Sequence, residues 1–168
     1  MKFTVNLSEN DFFKFNEYYM KHSAQGKKST FTARLLLPAV FLLIMVICLI
    51  ANTGMLVILL EAVIFTITSI VWVIKVPSMI SGNIRKSLET AKKDGKLPFH
   101  ETAEFEFAET EIIETAPGSV KTVKYSDITS VDPTDDYIYI FYGAAQAFVI
   151  PRHCIENYDL ESFLKSKT

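Results

Sequence analysis

The spacing of apolar and polar residues changes along the chain, and each change predicts a different element. Lys2–Leu7 alternates, with Phe3, Val5 and Leu7 on one side and Thr4 and Asn6 on the other, the period of a short strand. Ser8 then opens Ser-Glu-Asn-Asp, an acidic side chain standing three residues after a capping hydroxyl. That arrangement starts a helix, which runs to about His22. The helix is rich in aromatics (Phe12, Phe13, Phe15, Tyr18, Tyr19), which suit either a protein core or a membrane surface. Gln25–Thr30 reads as a polar, basic linker, so residues 1–30 form one N-terminal segment.

Periodicity then disappears into two apolar runs. Leu35–Ala51 is 17 residues without a charge, and Met55–Ile74 is 20 residues interrupted only by Glu61. A bilayer core of about 30 Å needs about 17–25 helical residues, so both runs are long enough to cross it. Only Asn52-Thr53-Gly54 lies between them, a turn that makes the two helices antiparallel. Residues 31–76 are therefore expected to form a transmembrane hairpin with spans at 35–51 and 55–76. Pro38 falls in the first turn of its span, where a missing N–H does little harm.

Beyond the second span, residues 77–97 read as a separate juxtamembrane helix, with Ile80, Ile84, Leu88 and Ala91 along one side and Gly95 ending it. Its lysines and arginines suit either an anionic leaflet or plain solvation. From Pro98 the period becomes two. Ala103, Phe105 and Phe107 alternate with Glu104 and Glu106, and further strands are expected at Glu111–Thr115, Ser119–Tyr125, Ile128–Asp132, Tyr137–Tyr142 and Ala147–Ile150. Pro117-Gly118, Asp132-Pro133 and Gly143 punctuate them. A last helix spans Leu160–Lys165 with Asp159 as its N-cap. Residues 98–168 thus predict a small antiparallel barrel or strongly curved sheet capped by a helix. So short a domain is marginal by size, and the Phe3–Leu7 strand and its helix are expected to pack with it across the hairpin.

Charge adds orientation. The overall net charge is only −2, but residues 98–168 carry thirteen acidic against five basic side chains. Lys27, Lys28 and Arg34 precede the first span and Lys75, Arg85 and Lys86 follow the second, while the connecting turn has none. The positive-inside rule then puts both termini in the cytoplasm, with Trp72 at the aromatic belt of that face. Cys48 and Cys154 read as free thiols of a reducing compartment.

No catalytic constellation is evident. His22, His100 and His153 stand far apart, the glycines form no phosphate-cradling loop, and His153-Cys154 are sequence neighbours whose side chains diverge. Asp132, Asp135 and Asp136 read as a solvated hairpin loop rather than a calcium site. No metal or cofactor is expected, and no small-molecule substrate is identified. The acidic C-terminal region disfavours nucleic acid. Glu61, the one carboxylate within a span, is a candidate for oligomer contact or an ion pathway. Tyr137, Tyr139 and Tyr142 cannot all face one core, so the tyrosines of this strand are candidate contact residues.

Tyr125-Ser126-Asp127-Ile128, Asp136-Tyr137-Ile138-Tyr139 and Ala147-Phe148-Val149-Ile150-Pro151-Arg152, with the Leu160–Leu164 helix, resemble the YcxB-like proteins of bacteria. The layout is similar along nearly the whole chain. The resemblance implies a pleckstrin-homology-like C-terminal fold and a bacterial cytoplasmic membrane, but no activity. It adds Tyr125, Asp127 and Arg152 to the candidate interaction residues. The expectation is an α+β membrane protein, non-enzymatic, whose partners are the bilayer and another membrane protein or a second copy of itself.

Overall fold

The computed structural model describes residues 1–95 and 97–167. Lys96, in the basic segment, and Thr168 lie outside the described residues. The chain divides into two compact units, Met1–Tyr19 with Ser87–Thr168, and Met20–Lys86.

In the first unit, β1 (Lys2–Asn6) pairs antiparallel with β2 (Thr102–Phe107), which continues to β3 (Glu111–Ala116) and β4 (Ser119–Lys124). The register sets Phe3 opposite Phe105 and Val5 opposite Ala103. The strand ahead of the apolar runs therefore joins the sheet that follows them. A 3-10 turn at Tyr125–Asp127 leads into a second antiparallel sheet of β5 (Ser130–Pro133), β6 (Tyr137–Phe141) and β7 (Ala147–Pro151). The barrel expected from the strand spacing does not close. The turn diverts the chain between β4 and β5, and the strands fall into separate sheets of four and three. Gly118 supplies the left-handed φ of +76° at the β3–β4 turn.

Between the sheets lies the main core, with Val5, Phe105, Ile112, Ile138, Ile140, Ile150 and Leu160 all almost fully buried. Leu160 and Leu164 come from α4 (Leu160–Lys165), whose N-cap Asp159 accepts from the Ser162 amide as its sequence position predicts. α1 (Glu9–His22) begins with the expected capping box: the Ser8 amide and hydroxyl donate to Asp11 Oδ2 at 2.7 and 2.6 Å, and the Asp11 amide donates to Ser8 Oγ at 3.3 Å.

The second unit contains most of the two long helices, α2 (Ala24–Ile50) and α3 (Met55–Lys93). Both are long and apolar enough to cross a membrane. Their side chains are exposed along most of the length, Leu43 at 62%, Ile50 at 81% and Leu56 at 74% among them. Two expectations are corrected here. Gln25–Thr30 is helix rather than linker, because Ser23 caps α2 by accepting from the Gly26 amide at 2.9 Å. Residues 77–93 are not a separate helix, because α3 runs through Pro77 to Lys93. A proline removes one main-chain hydrogen bond, and the helical apolar period on either side outlasts it. Gly95, with φ +66°, follows the end of α3 as its composition predicts.

Candidate functional site

A concentration of polar and aromatic groups lies on the outer face of the second sheet. β6 is buried along its whole length because its two faces meet different partners. Ile138 and Ile140 enter the inter-sheet core, while Tyr137, Tyr139 and Phe141 point outward and are covered by α1. Phe15 of α1 meets Tyr139 and Phe141 at ring distances of 5.7 and 6.1 Å, and Tyr18 stacks on Tyr139 at 4.5 Å. Polar contacts surround this layer. The Tyr137 hydroxyl donates to Asp11 Oδ1 at 2.5 Å, Tyr18 donates to Asp132 at 3.2 Å, and Lys14 pairs with Asp136 at 3.2 Å. Glu9 and Lys92 form a further ion pair. Two of the loop aspartates are thus committed to α1.

Burial, then the Asp11 hydrogen bond, pushes the Tyr137 phenol well above its ordinary value, and burial does the same for Tyr139 with the Tyr18 and Asp136 charges adding to it. Both stay neutral across the physiological range. Burial pulls the Asp11 carboxyl upward, but hydrogen bonds from the Ser8 hydroxyl, Tyr137 and the Ser8 amide outweigh it and leave its pKa below the ordinary aspartate value. A carboxyl depressed in the folded state contributes stability above its unfolded pKa of about 3.9 that is lost as pH falls through the folded value. Asp11→Asn is therefore expected to flatten the acid limb of a stability–pH curve below about pH 4, and an unchanged limb would contradict this role.

Of the remaining candidates in this unit, Arg152 and Tyr125 are fastened and Asp127 is exposed. Arg152, just after β7, donates from Nε to the Thr134 carbonyl at 2.6 Å and from a guanidinium nitrogen to Glu161 of α4 at 2.5 Å. Tyr125 is 6% exposed and donates to the Ala108 carbonyl at 3.0 Å. Asp127 is exposed and accepts from Ser126 Oγ at 3.2 Å. The fold brings Tyr137 and Tyr139 together and places Tyr125 and Asp127 on the turn between the sheets. Glu61 belongs to the other unit.

In that unit α2 and α3 meet along one seam: Trp72 Nε1 donates to the Ala33 carbonyl at 3.0 Å, and Phe41 meets Phe65 edge-on at 5.1 Å. Glu61 interacts with Cys48 across the same seam, and its Oε2 is buried without a partner. The carboxyl thus faces the first helix of its own hairpin. The sequence reading missed this partner because a thiol was not counted among groups able to meet a carboxyl.

A second polar group escaped the sequence reading. Glu114 shares the inward face of β3 with Ile112 and Ala116, and is paired in register with Lys121 of β4. Lys121 Nζ lies 2.7 Å from the Tyr142 hydroxyl and 4.3 Å above that ring. Burial raises the Glu114 pKa, with His100 and Lys121 opposing. Strict alternation through Ile112-Ile113-Glu114 was the available signal. Among the described residues, no three His, Cys, Asp or Glu side chains come together as metal ligands do.

The model of the family described as YcxB-like protein matches residues 107–165. That region is similar to a YcxB-like domain. No curated protein and no solved structure matches the chain. The YcxB-like match begins at the last residue of β2 and ends with α4, so it contains Tyr125, Asp127, Tyr137, Tyr139 and Arg152. β1, α1, α2, α3 with its Glu61, and all of β2 but Phe107 lie outside it, although β1 and β2 extend the first sheet beyond the matched strands and α1 covers the second.

Proposed function

We propose that this protein is a membrane-anchored, non-enzymatic interaction module. Its YcxB-like region is a pleckstrin-homology-like domain on the cytoplasmic face of a bacterial membrane, tethered by two spans inserted within its own fold. One observation carries the reading: β1 precedes both apolar helices and β2 follows them, yet the two strands are paired. Strands that share a ladder occupy one compartment, so helices crossing a bilayer between them must cross an even number of times. The lysines and arginines flanking the hairpin support the cytoplasmic side. The exposed apolar surface of α2 and α3 supports lipid as its solvent, since contiguous patches of this size are rare on water-soluble monomers. Antiparallel sheets of four and three strands with a closing helix support the pleckstrin-homology-like assignment.

The outward face of the first sheet is the free surface of such a module. Thr4, Thr102, Glu104, Glu106, Val120 and Thr122 line it. Zero-length crosslinking of the full chain in native membranes tests the reading. A discrete adduct with one partner or a second copy is expected, and the lack of any specific adduct would contradict it.

The buried, unpartnered Oε2 of Glu61 supports a second reading, a small transport or permeability accessory protein. Glu61→Gln then changes ion or proton flux in reconstituted vesicles, and an unchanged flux eliminates that reading.

A further inference from the structure

Between Glu17 and Glu61 the chain has no acidic residue, so Lys27, Lys28 and Arg34 are uncompensated within the segment that holds them. Along one stripe of α2, Gln25, Lys28, Ser29, Thr32, Ala33 and Leu36 line an open recess of about 440 Å³. Its lining is graded: a cationic and hydroxyl-bearing end, then small and apolar side chains toward the apolar run. Ser29 and Ala33 leave room where larger residues would fill the stripe. Trp72, bonded to the Ala33 carbonyl, marks the level at which indoles settle in a bilayer. Lys28 lies five residues toward the N-terminus, about 7 Å along the helix axis and on the headgroup side of that level.

We propose that this recess binds one anionic phospholipid. Lys28 takes the phosphate, the hydroxyls of Ser29 and Thr32 stand beside it, and an acyl chain runs over Ala33 and Leu36. The inference rests on the hairpin spanning the membrane and adds a lipid class and a site to that reading. A free phosphate would use only the cationic end and leave the apolar end empty, which is why lipid is the favoured occupant. One lysine at a membrane surface contributes about fivefold in binding of an anionic lipid.

Trp72 is the only tryptophan and adjoins the recess through Ala33, so its fluorescence reports the occupant. The full chain is reconstituted in phosphatidylcholine vesicles containing equal fractions of brominated phosphatidylglycerol or brominated phosphatidylcholine. Brominated phosphatidylglycerol is expected to quench Trp72 more strongly. Lys28→Gln is expected to reduce that preference about fivefold. Thr32→Leu, which fills the recess, should reduce it too, whereas Lys27→Gln, off the stripe, should keep most of it. Equal quenching by the two lipids, equal losses for the Lys27 and Lys28 variants, or abolition of the preference by added inorganic phosphate would each overturn the proposal. Absence of quenching by either lipid would instead overturn the membrane-spanning reading beneath it.

Discussion

Phe3→Ala is expected to destabilise the domain by about 3–5 kcal/mol, although both long helices separate the residue from its partners in sequence. Phe3 is 8% exposed and its ring meets Phe107 and Tyr158 at 5.6 Å and Phe105 at 6.4 Å. Truncation leaves a cavity among aromatic side chains that the paired β1–β2 backbone cannot close, so the loss combines transfer and void. The chain carries its own reporters. All seven tyrosines belong to the unit of Met1–Tyr19 and Ser87–Thr168, and the single tryptophan to Met20–Lys86. Denaturation in detergent should show the tyrosine near-ultraviolet dichroism transition moving to lower denaturant while the Trp72 signal stays in place. A domain transition unmoved by Phe3→Ala would mean that β1 is not part of the core.

Phe15→Ala has an effect of similar size by a different route, about 3 kcal/mol. The side chain is 7% exposed and is the central contact of α1 with Tyr139 and Phe141. Without it, the Asp11–Tyr137, Tyr18–Asp132 and Lys14–Asp136 contacts are left to hold the helix at its margins. Exposed ion pairs contribute little on their own. The expected signature is faster tryptic cleavage at Lys14 with the β4–β5 region still protected. Cleavage at the wild-type rate would show that the aromatic layer does not hold α1 down.

Much of this architecture was legible in the pattern of residues, and what was not has identifiable physical causes. Alternation in Ala103–Phe107 and the Asp159 cap of α4 are local signals, and both elements form where those signals lie. Pairing between strands far apart in sequence is not local. That β1 would join this domain could be expected from the need for more core, but the division into four and three strands left no mark that spacing alone reveals. The break comes at a 3-10 turn held by Tyr125, whose hydroxyl reaches the Ala108 carbonyl. The aromatics of α1 suit a bilayer surface as well as a protein core, and only the presence of Tyr137 and Tyr139 on the outer face of β6 distinguishes them. Ser23 was hidden as a cap because the lysines after it look like a linker, although Ala24, Gln25 and Lys27 are all good helix formers. At the candidate site the tyrosines were found from alternation alone. Their partners Asp11 and Tyr18 stand more than a hundred residues away and could not be.

The central claim is that a strand ahead of the two long apolar helices pairs with a strand behind them, and a disulfide across that pair tests it most directly. Leu7 N–H donates to the Glu101 carbonyl and Phe107 N–H to the Met1 carbonyl, which makes Thr4 and Glu104 a non-hydrogen-bonded pair, the closer kind, about 4.5 Å between Cα atoms. Both are exposed on the outer face, and a span of that size accommodates a disulfide. With Cys48→Ser and Cys154→Ala removing the native thiols, the Thr4→Cys, Glu104→Cys chain in native membranes is expected to crosslink quantitatively under mild oxidation. Before oxidation, both thiols should react with an impermeant maleimide in inverted vesicles and neither in intact cells. Failure to crosslink, or labelling of the two positions from opposite faces of the membrane, would contradict the account.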